Sequence, residues 1–320
     1  MITFAELREE YVKRNQSPNP HQAMAVTNIG AQPFIRWQGA KSQYLRILSK
    51  ALPADFASTP DVTYIEPFVG SGSMLFHMLQ TYPNITRAVI NDNNLDLMRV
   101  YNTVRDRAQE LIAELRKTEK QFLPLDEDGR RHYFDEVREE FGERLVDGIR
   151  HAALFIFLNK TSVGGQGQKF RASRHYGICE EAVLLADARV LKDVTILCDD
   201  YEKTYNEACG NTFFYLDPPS GTPQWDLREQ IRLKKFCDLL NFRHFDWILT
   251  GSECRSKRLS ANGVEQLYSS YDVQRIWSQQ AIKATPEKRE KQQPELLVRN
   301  FQREILSLRA MQCTQLSFAF

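Results

Sequence analysis

The ten residues Tyr64-Ile65-Glu66-Pro67-Phe68-Val69-Gly70-Ser71-Gly72-Ser73 limit the fold of this chain more than any other stretch. An apolar run ends in a turn with two closely spaced glycines and passes straight into a helical pattern. A chain that leaves a strand, turns on glycine and starts a helix is building the first half of a βαβ unit. Gly70 and Gly72 allow close approach of a ligand to the backbone, and the first N–H groups of the following helix are free to meet it. Taken alone, such a turn is equally a plain strand-to-helix connection. The neighbouring text extends the pattern: β-rich runs at 63–65 and 87–90 alternate with helical periodicity from Gly72 and over 95–104. Further β-rich runs follow at 194–197, 213–216, 247–250 and 296–298. This order predicts an α/β fold with a mostly parallel sheet. Between Arg105 and Glu181 the strands stop, and charged helical patterns at 109–121 and 132–141 take their place. The expected organisation is a lead-in over 1–30, a catalytic core over 31–104 and 182–310, an inserted helical domain over 105–181, and a tail over 311–320.

At 320 residues and 42% hydrophobic content, the chain is long enough to bury a sizeable core. Its 42 Lys and Arg balance 41 Asp and Glu, so any surface that attracts nucleic acid has to be local. The longest apolar run, 152–158, is far short of a membrane span, and the first residues are charged, so the expected location is cytoplasmic. Six scattered cysteines include no CxxC pair, which speaks for reduced structural thiols and against a metal site.

The second informative stretch is Asp217-Pro218-Pro219-Ser220, which ends the run Phe213-Phe214-Tyr215-Leu216. A strand delivers its last polar residue to the carboxyl edge of the sheet, where open α/β folds keep their ligands. The prolines remove two donors and leave carbonyl acceptors beside a carboxylate, a combination suited to holding an amine. A carboxylate about 20 residues after the glycine turn is where a ribose diol is held in this architecture, and that residue is Asp92. Capping of the helix from Leu95 falls to Asn93 or Asn94. Cys198-Asp199-Asp200-Tyr201 puts acidic groups at another strand end, where one suits a heterocycle's amine and one a helix cap. Upstream, Trp37 and Lys41 flank a small-residue turn, where Lys41 is suited to neutralising a cofactor carboxylate.

The order WxGxK, EPFVGSGS, charged helical insert, LNKT, DDY and YLDPP resembles the Dam-type (D12 class) N6-adenine-specific DNA methyltransferases over roughly residues 34 to 300. The resemblance implies a class I S-adenosylmethionine-dependent methyltransferase fold with an inserted helical target-recognition domain. It implies that Trp37, Lys41, Glu66, Phe68, Gly70, Gly72, Asp92, Asp200 and Tyr201 surround S-adenosylmethionine, that Asp217 with Pro218, Pro219 and Ser220 forms the catalytic corner, and that no metal takes part. Double-stranded DNA is then the partner, with the target adenine flipped out of the helix. Two departures stand out. The family places an aromatic, usually Tyr, where this chain has Ser220; base stacking is worth about 1–3 kcal/mol, and Trp225 is the nearest substitute ring. After Leu158-Asn159-Lys160-Thr161, the family's aromatic-Asn-Gly turn is replaced by a glycine-rich loop carrying Lys169, Arg171 and Arg174. Asn159, Lys160, Lys169, Arg171 and Arg174 are the expected DNA contacts, with Lys283 to Lys291 a further basic stretch. The final residues Gln315-Leu316-Ser317-Phe318-Ala319-Phe320 resemble peptides that dock into the sliding clamp. Two other functions fit the same acceptor pocket: a catalytically silent homologue that binds DNA or a protein partner, and an amine methyltransferase acting on RNA or protein.

Overall fold

The structure is a computed structural model that describes residues 30–144, 148–219, 225–252, 263–277 and 294–301. The described elements are, in chain order, α1 (Leu45–Ala51), β1 (Val62–Glu66), α2 (Ser73–Thr81), β2 (Ile85–Asn91), α3 (Leu95–Phe122), α4 (Glu127–Glu143), α5 (Gly148–Thr161), α6 (Glu181–Leu191), β3 (Val194–Leu197), β4 (Thr212–Leu216), α7 (Leu227–Phe242), β5 (Asp246–Ser252), α8 (Gly263–Leu267), β6 (Asp272–Ile276) and β7 (Glu295–Arg299). Seven strands form one sheet in the order β3-β2-β1-β4-β5-β7-β6. β3 through β5 are parallel, whereas β7 runs antiparallel to both β5 and β6. The chain builds outward from β1 through β2 to β3, then returns to place β4 on the other side of β1. That reversal opens a crevice at the carboxyl ends of β1 and β4, where this class of sheet binds its ligands.

β1 and β4 are buried along their whole length, as expected of strands covered on both faces. Side chains alternate between two cores: Tyr64, Phe213 and Tyr215 join one, and Ile65, Phe214 and Leu216 the other. The first core continues without a break into the helices that follow β2. Leu97, Val100, Tyr101 and Val104 of α3 pack toward the sheet, and Leu111, Ile112, Leu115 and Phe122 of the same helix pack with Phe134, Phe157, Phe170 and Tyr176. α3 breaks its helical geometry at Arg107 (φ −138°, ψ 36°) and then resumes. α5 is apolar almost all round, including the run 152–158, because α3 and α4 pack against it. Among the described residues, no helix is long and apolar enough to cross a membrane.

β6 was not expected from the sequence. Asp272-Val273-Gln274-Arg275-Ile276 is mostly half-buried or exposed, which suits an edge strand and gives little apolar alternation to detect.

Candidate active site

Strand alternation gathers the acceptor corner. Glu66 ends β1 and Asp217 follows β4, each two residues beyond a tyrosine on the same face, Tyr64 and Tyr215. Lys41 enters from the loop before α1 and is 6% exposed. Its Nζ lies 2.8 Å from Asp217 Oδ1 and 3.8 Å from Glu295 Oε2, and donates to the Gly39 carbonyl at 3.0 Å. Thr250 of β5 donates its hydroxyl to Asp217 Oδ1 at 2.9 Å, and Tyr215 OH lies 2.9 Å from Thr250 Oγ1. Both donors therefore converge on Oδ1, and among the described residues none meets Oδ2. Burial pushes the Asp217 carboxyl above its ordinary range, against the pull of the Lys41 ammonium and the Thr250 hydroxyl. Burial alone would lower Lys41, but Asp217 and Glu295 together hold it above the usual lysine value. Glu66, 2% exposed, is pushed far above the carboxylate range by burial, and Tyr64 OH donates to its Oε2 at 2.8 Å. Glu66 is accordingly a neutral acid near pH 7.

The glycine turn has the predicted strand-turn-helix form. Gly70 and Gly72 take φ of +49° and +72°. A Cβ at Gly70 would lie 2.7 Å from the Trp37 indole, and one at Gly72 2.6 Å from Tyr101 OH. Tyr101 OH in turn donates to the Gly70 carbonyl at 3.0 Å. Asp92 leaves β2 facing this turn, with Oδ2 accepting from Gly70 N at 3.3 Å and Oδ1 from Asn94 N at 3.0 Å. Burial raises its carboxyl, and these backbone donors act against the rise. Asn94 is the cap of α3, accepting from Leu97 N at 3.1 Å, which leaves Asp92 to the turn. Asn91, buried between the strand ends, donates to the Pro67 and Asp199 carbonyls at 3.1 and 3.0 Å and accepts from Asp199 N at 3.0 Å. It ties the ends of β1, β2 and β3 together, a role that its place in an Asn-Asp-Asn-Asn run does not reveal.

The third wall follows β3. Asp200 caps the short helix Tyr201–Glu207 through Glu202 N at 3.0 Å, and both its oxygens are held by Arg232 of α7, at 2.7 and 2.9 Å. Burial works against its charge, yet Arg232 and the Glu202 N–H hold its carboxyl below the ordinary value. Asp200 is thus engaged within the protein, while the neighbouring Asp199 is exposed and also lines the cleft. The Arg232 guanidinium lies 4.8 Å from the Tyr201 ring centre. Phe68 packs against Tyr201 at 5.0 Å and edge-on against Trp225 at 5.6 Å. Trp225 is 9% exposed, so most of its ring is already spent on this aromatic cluster.

The glycine-rich loop after α5 forms the remaining wall. Val163 N donates to Lys169 O and Arg171 N to Thr161 O, both at 2.8 Å, closing a short hairpin around the bridge between Ser162 and Phe170. Asn159 accepts from Arg36 N and donates to the Arg36 and Gly165 carbonyls, all at 2.8 Å. Lys160 is buried and ion-paired with Glu180. Both residues therefore anchor the loop and do not project from it. Arg171 is half-buried, donating to the Lys160 carbonyl at 2.9 Å, whereas Lys169 and Arg174 are exposed. Ser220, the stretch Lys283 to Lys291 and the tail Gln315 to Phe320 lie outside the described residues.

These walls enclose a cleft of about 990 Å3 lined by Trp37, Glu66, Phe68, Gly70, Asp92, Tyr201 and Asp217 among others. That is the upper end of the range for small-molecule sites. The glycine turn with a helix N-terminus, the Asp92 carboxylate and the aromatic pair Phe68 and Tyr201 suit the parts of S-adenosylmethionine: amino acid, ribose and heterocycle. Residues 37–283 match the model of the family described as D12 class N6 adenine-specific DNA methyltransferase. The chain is similar to the type II methyltransferase M.MjaIII of Methanocaldococcus jannaschii, at 31% identity over 293 residues, covering 84% of this chain and 99% of the relative. It is similar to the type II methyltransferase M1.LlaDCHI of Lactococcus lactis at 23% identity, covering 78% and 88%. With the DNA adenine methylase of Escherichia coli it shares 24% identity, covering 69% and 80%.

Proposed function

The chain belongs to the D12 class N6 adenine-specific DNA methyltransferase family, and we propose that its cleft transfers a methyl group from S-adenosylmethionine to the N6 amine of a DNA adenine held by Asp217 and the Pro218 carbonyl. The observation that carries this reading is the asymmetry of Asp217. Lys41 and Thr250 both spend their donors on Oδ1, which fixes the carboxylate and leaves Oδ2 to accept from an amine. Pro218 has no N–H of its own, and its carbonyl is the natural second acceptor beside it.

An adenine amine that donates its two N–H bonds to Asp217 Oδ2 and Pro218 O has its nitrogen lone pair aimed out of the base plane. The chain's contribution is then largely positioning and fixed electrostatics. Bound S-adenosylmethionine supplies an electrophilic sulfonium methyl whose C–S bonding pair leaves with sulfur. As the N–C bond forms, positive charge develops on N6, and the Asp217 carboxylate is placed to stabilise it. The surplus N6 proton is delivered to Asp217 Oδ2 and from there to water. Gly70 and Gly72, with the free N–H groups of α2, would hold the amino-acid end of the cofactor, Asp92 its ribose, and Phe68 and Tyr201 its ring. Trp37, which covers the glycine turn, would close that part of the cleft against water.

A base in a duplex reaches this cleft only by leaving the stack. The hairpin over residues 161–171 borders the cleft, and the exposed Lys169 and Arg174 on and beyond it are suited to the flanking phosphates. We assign residues 105–181 to DNA recognition on this basis. The test is incubation with labelled S-adenosylmethionine and unmethylated genomic DNA, with N6-methyladenine read by mass. Asp217→Ala is expected to lower kcat at least about a hundredfold while cofactor binding persists. Methylation of RNA or protein, with none of DNA, would refute the assignment.

A further inference from the structure

Glu295 opens β7, and because β7 is antiparallel to β5 its first residue reaches the same edge of the sheet as the last residues of the parallel strands. Side chains alternate along β7: Leu297 belongs to the core on the Lys41 side, and Leu296 and Val298 to the core on the other. Two residues before Leu297, Glu295 faces the same way. Its carboxylate is 3.8 Å from Lys41 Nζ, and its side chain is 16% exposed. One ammonium thus stands between two carboxylates.

We propose that Glu295 is a positioning residue for methyl transfer: by sharing the Lys41 ammonium with Asp217, it keeps Asp217 Oδ2 a strong acceptor and leaves the corner negatively charged as positive charge arrives on N6. This rests on the assignment of Asp217 as the amine acceptor. The charged and titratable groups that face Asp217 are Lys41 from the loop before α1, Glu295 of β7, Tyr215 of β4, and Glu66 with Tyr64 of β1; Thr250 of β5 adds a hydroxyl. Burial keeps Glu66 neutral, so the remaining charges are one ammonium against two carboxylates. Removing the Glu295 charge leaves Lys41 wholly to Asp217. The carboxylate then holds its proton less readily and attracts the N6 hydrogens more weakly.

The test compares Glu295→Gln and Glu295→Asp with the parent enzyme in two measurements. In steady-state methylation of unmethylated genomic DNA, Glu295→Gln is expected to lower kcat about tenfold, with KM for S-adenosylmethionine little changed. The acid limb of the pH profile should move to lower pH, and Glu295→Asp should recover part of both effects. Separately, carboxyl-carbon NMR of protein labelled at aspartate follows the Asp217 resonance, identified by its loss in Asp217→Asn. That titration should also move to lower pH in Glu295→Gln. An unmoved Asp217 titration, or a loss of kcat that the retained charge of Glu295→Asp does not recover, would overturn the role. Absence of N6-methyladenine from the parent enzyme would instead sink the functional assignment, and the titration would still decide whether Glu295 acts on Asp217.

Discussion

Replacing Lys41 by Met keeps the apolar stem and removes the charge, which isolates what the ammonium does for Asp217. The pair is 2.8 Å apart, with side chains 7% and 18% exposed, so solvent screens it little. Removing one partner of a buried pair costs about 3–5 kcal/mol, and each tenfold change in proton affinity is about 1.4 kcal/mol. Burial already raises the Asp217 carboxyl, and Glu295 adds to that rise. The variant should therefore favour the protonated acid by about a hundredfold or more relative to the parent. A protonated Asp217 no longer offers a charged acceptor, so kcat at pH 7 should fall about a hundredfold and recover as pH is raised. Stability gives an independent sign. A carboxyl whose folded pKa is raised above its unfolded value destabilises the fold progressively as pH rises between the two, starting near about 4. The variant's urea midpoint should thus drop further below the parent's at pH 9 than at pH 5. The assay is initial-rate methylation with saturating DNA and cofactor from pH 6 to 10. A loss of activity that is the same at every pH would refute the reasoning and assign Lys41 to the cofactor.

Gly72→Ala places a side chain at φ +72° and within 2.6 Å of Tyr101 OH. It should cost about 2–5 kcal/mol in urea unfolding and weaken binding of S-adenosylhomocysteine measured calorimetrically. Arg232→Gln releases Asp200 and Tyr201, so KM for S-adenosylmethionine should rise while kcat at saturation is retained. Because the Asp200 carboxyl is held low, its contribution to stability is present above about pH 4 and is lost as pH falls through the folded value; the variant's thermal midpoint should lack that acid-side loss. Lys169→Ala with Arg174→Ala should weaken DNA binding equally across sequences and reduce the slope of log affinity against log salt by about 2. A sequence-dependent change in a binding titration would mean that these residues read bases.

The strands that form the crevice were legible in the sequence because they are buried on both faces and read as apolar runs. The glycine turn, Asp92 and Asp217 were legible because each sits at a strand end, where position implies direction. Thr250, Glu295 and Arg232 were not. Each belongs to an element distant in sequence, and Glu295 reaches the site only because its strand runs against the others. Asp200 carries the right chemistry for a heterocycle's amine, but an arginine about 30 residues later takes both its oxygens. Asn159 and Lys160 look like polar contacts in the motif and prove to be inward anchors, since a helix apolar on all sides leaves its polar residues facing protein. Lys41, expected beside a cofactor carboxylate, is paired with the acceptor itself.

The length of α3 has a consequence for how such an enzyme can diversify. Its 28 residues run from the Asn94 cap, next to Asp92, to the packing around Phe170 and Tyr176, a rod of about 42 Å at the usual rise per residue. Both ends are embedded in one apolar core, so the rod fixes the azimuth as well as the distance of the recognition loop relative to the methyl acceptor. A single residue inserted in it would swing the far end by about 100° and aim the loop away from the groove. Drift in target preference is therefore channelled into the loops beyond Phe122, and the helix itself behaves as a gauge length that lineages inherit unchanged.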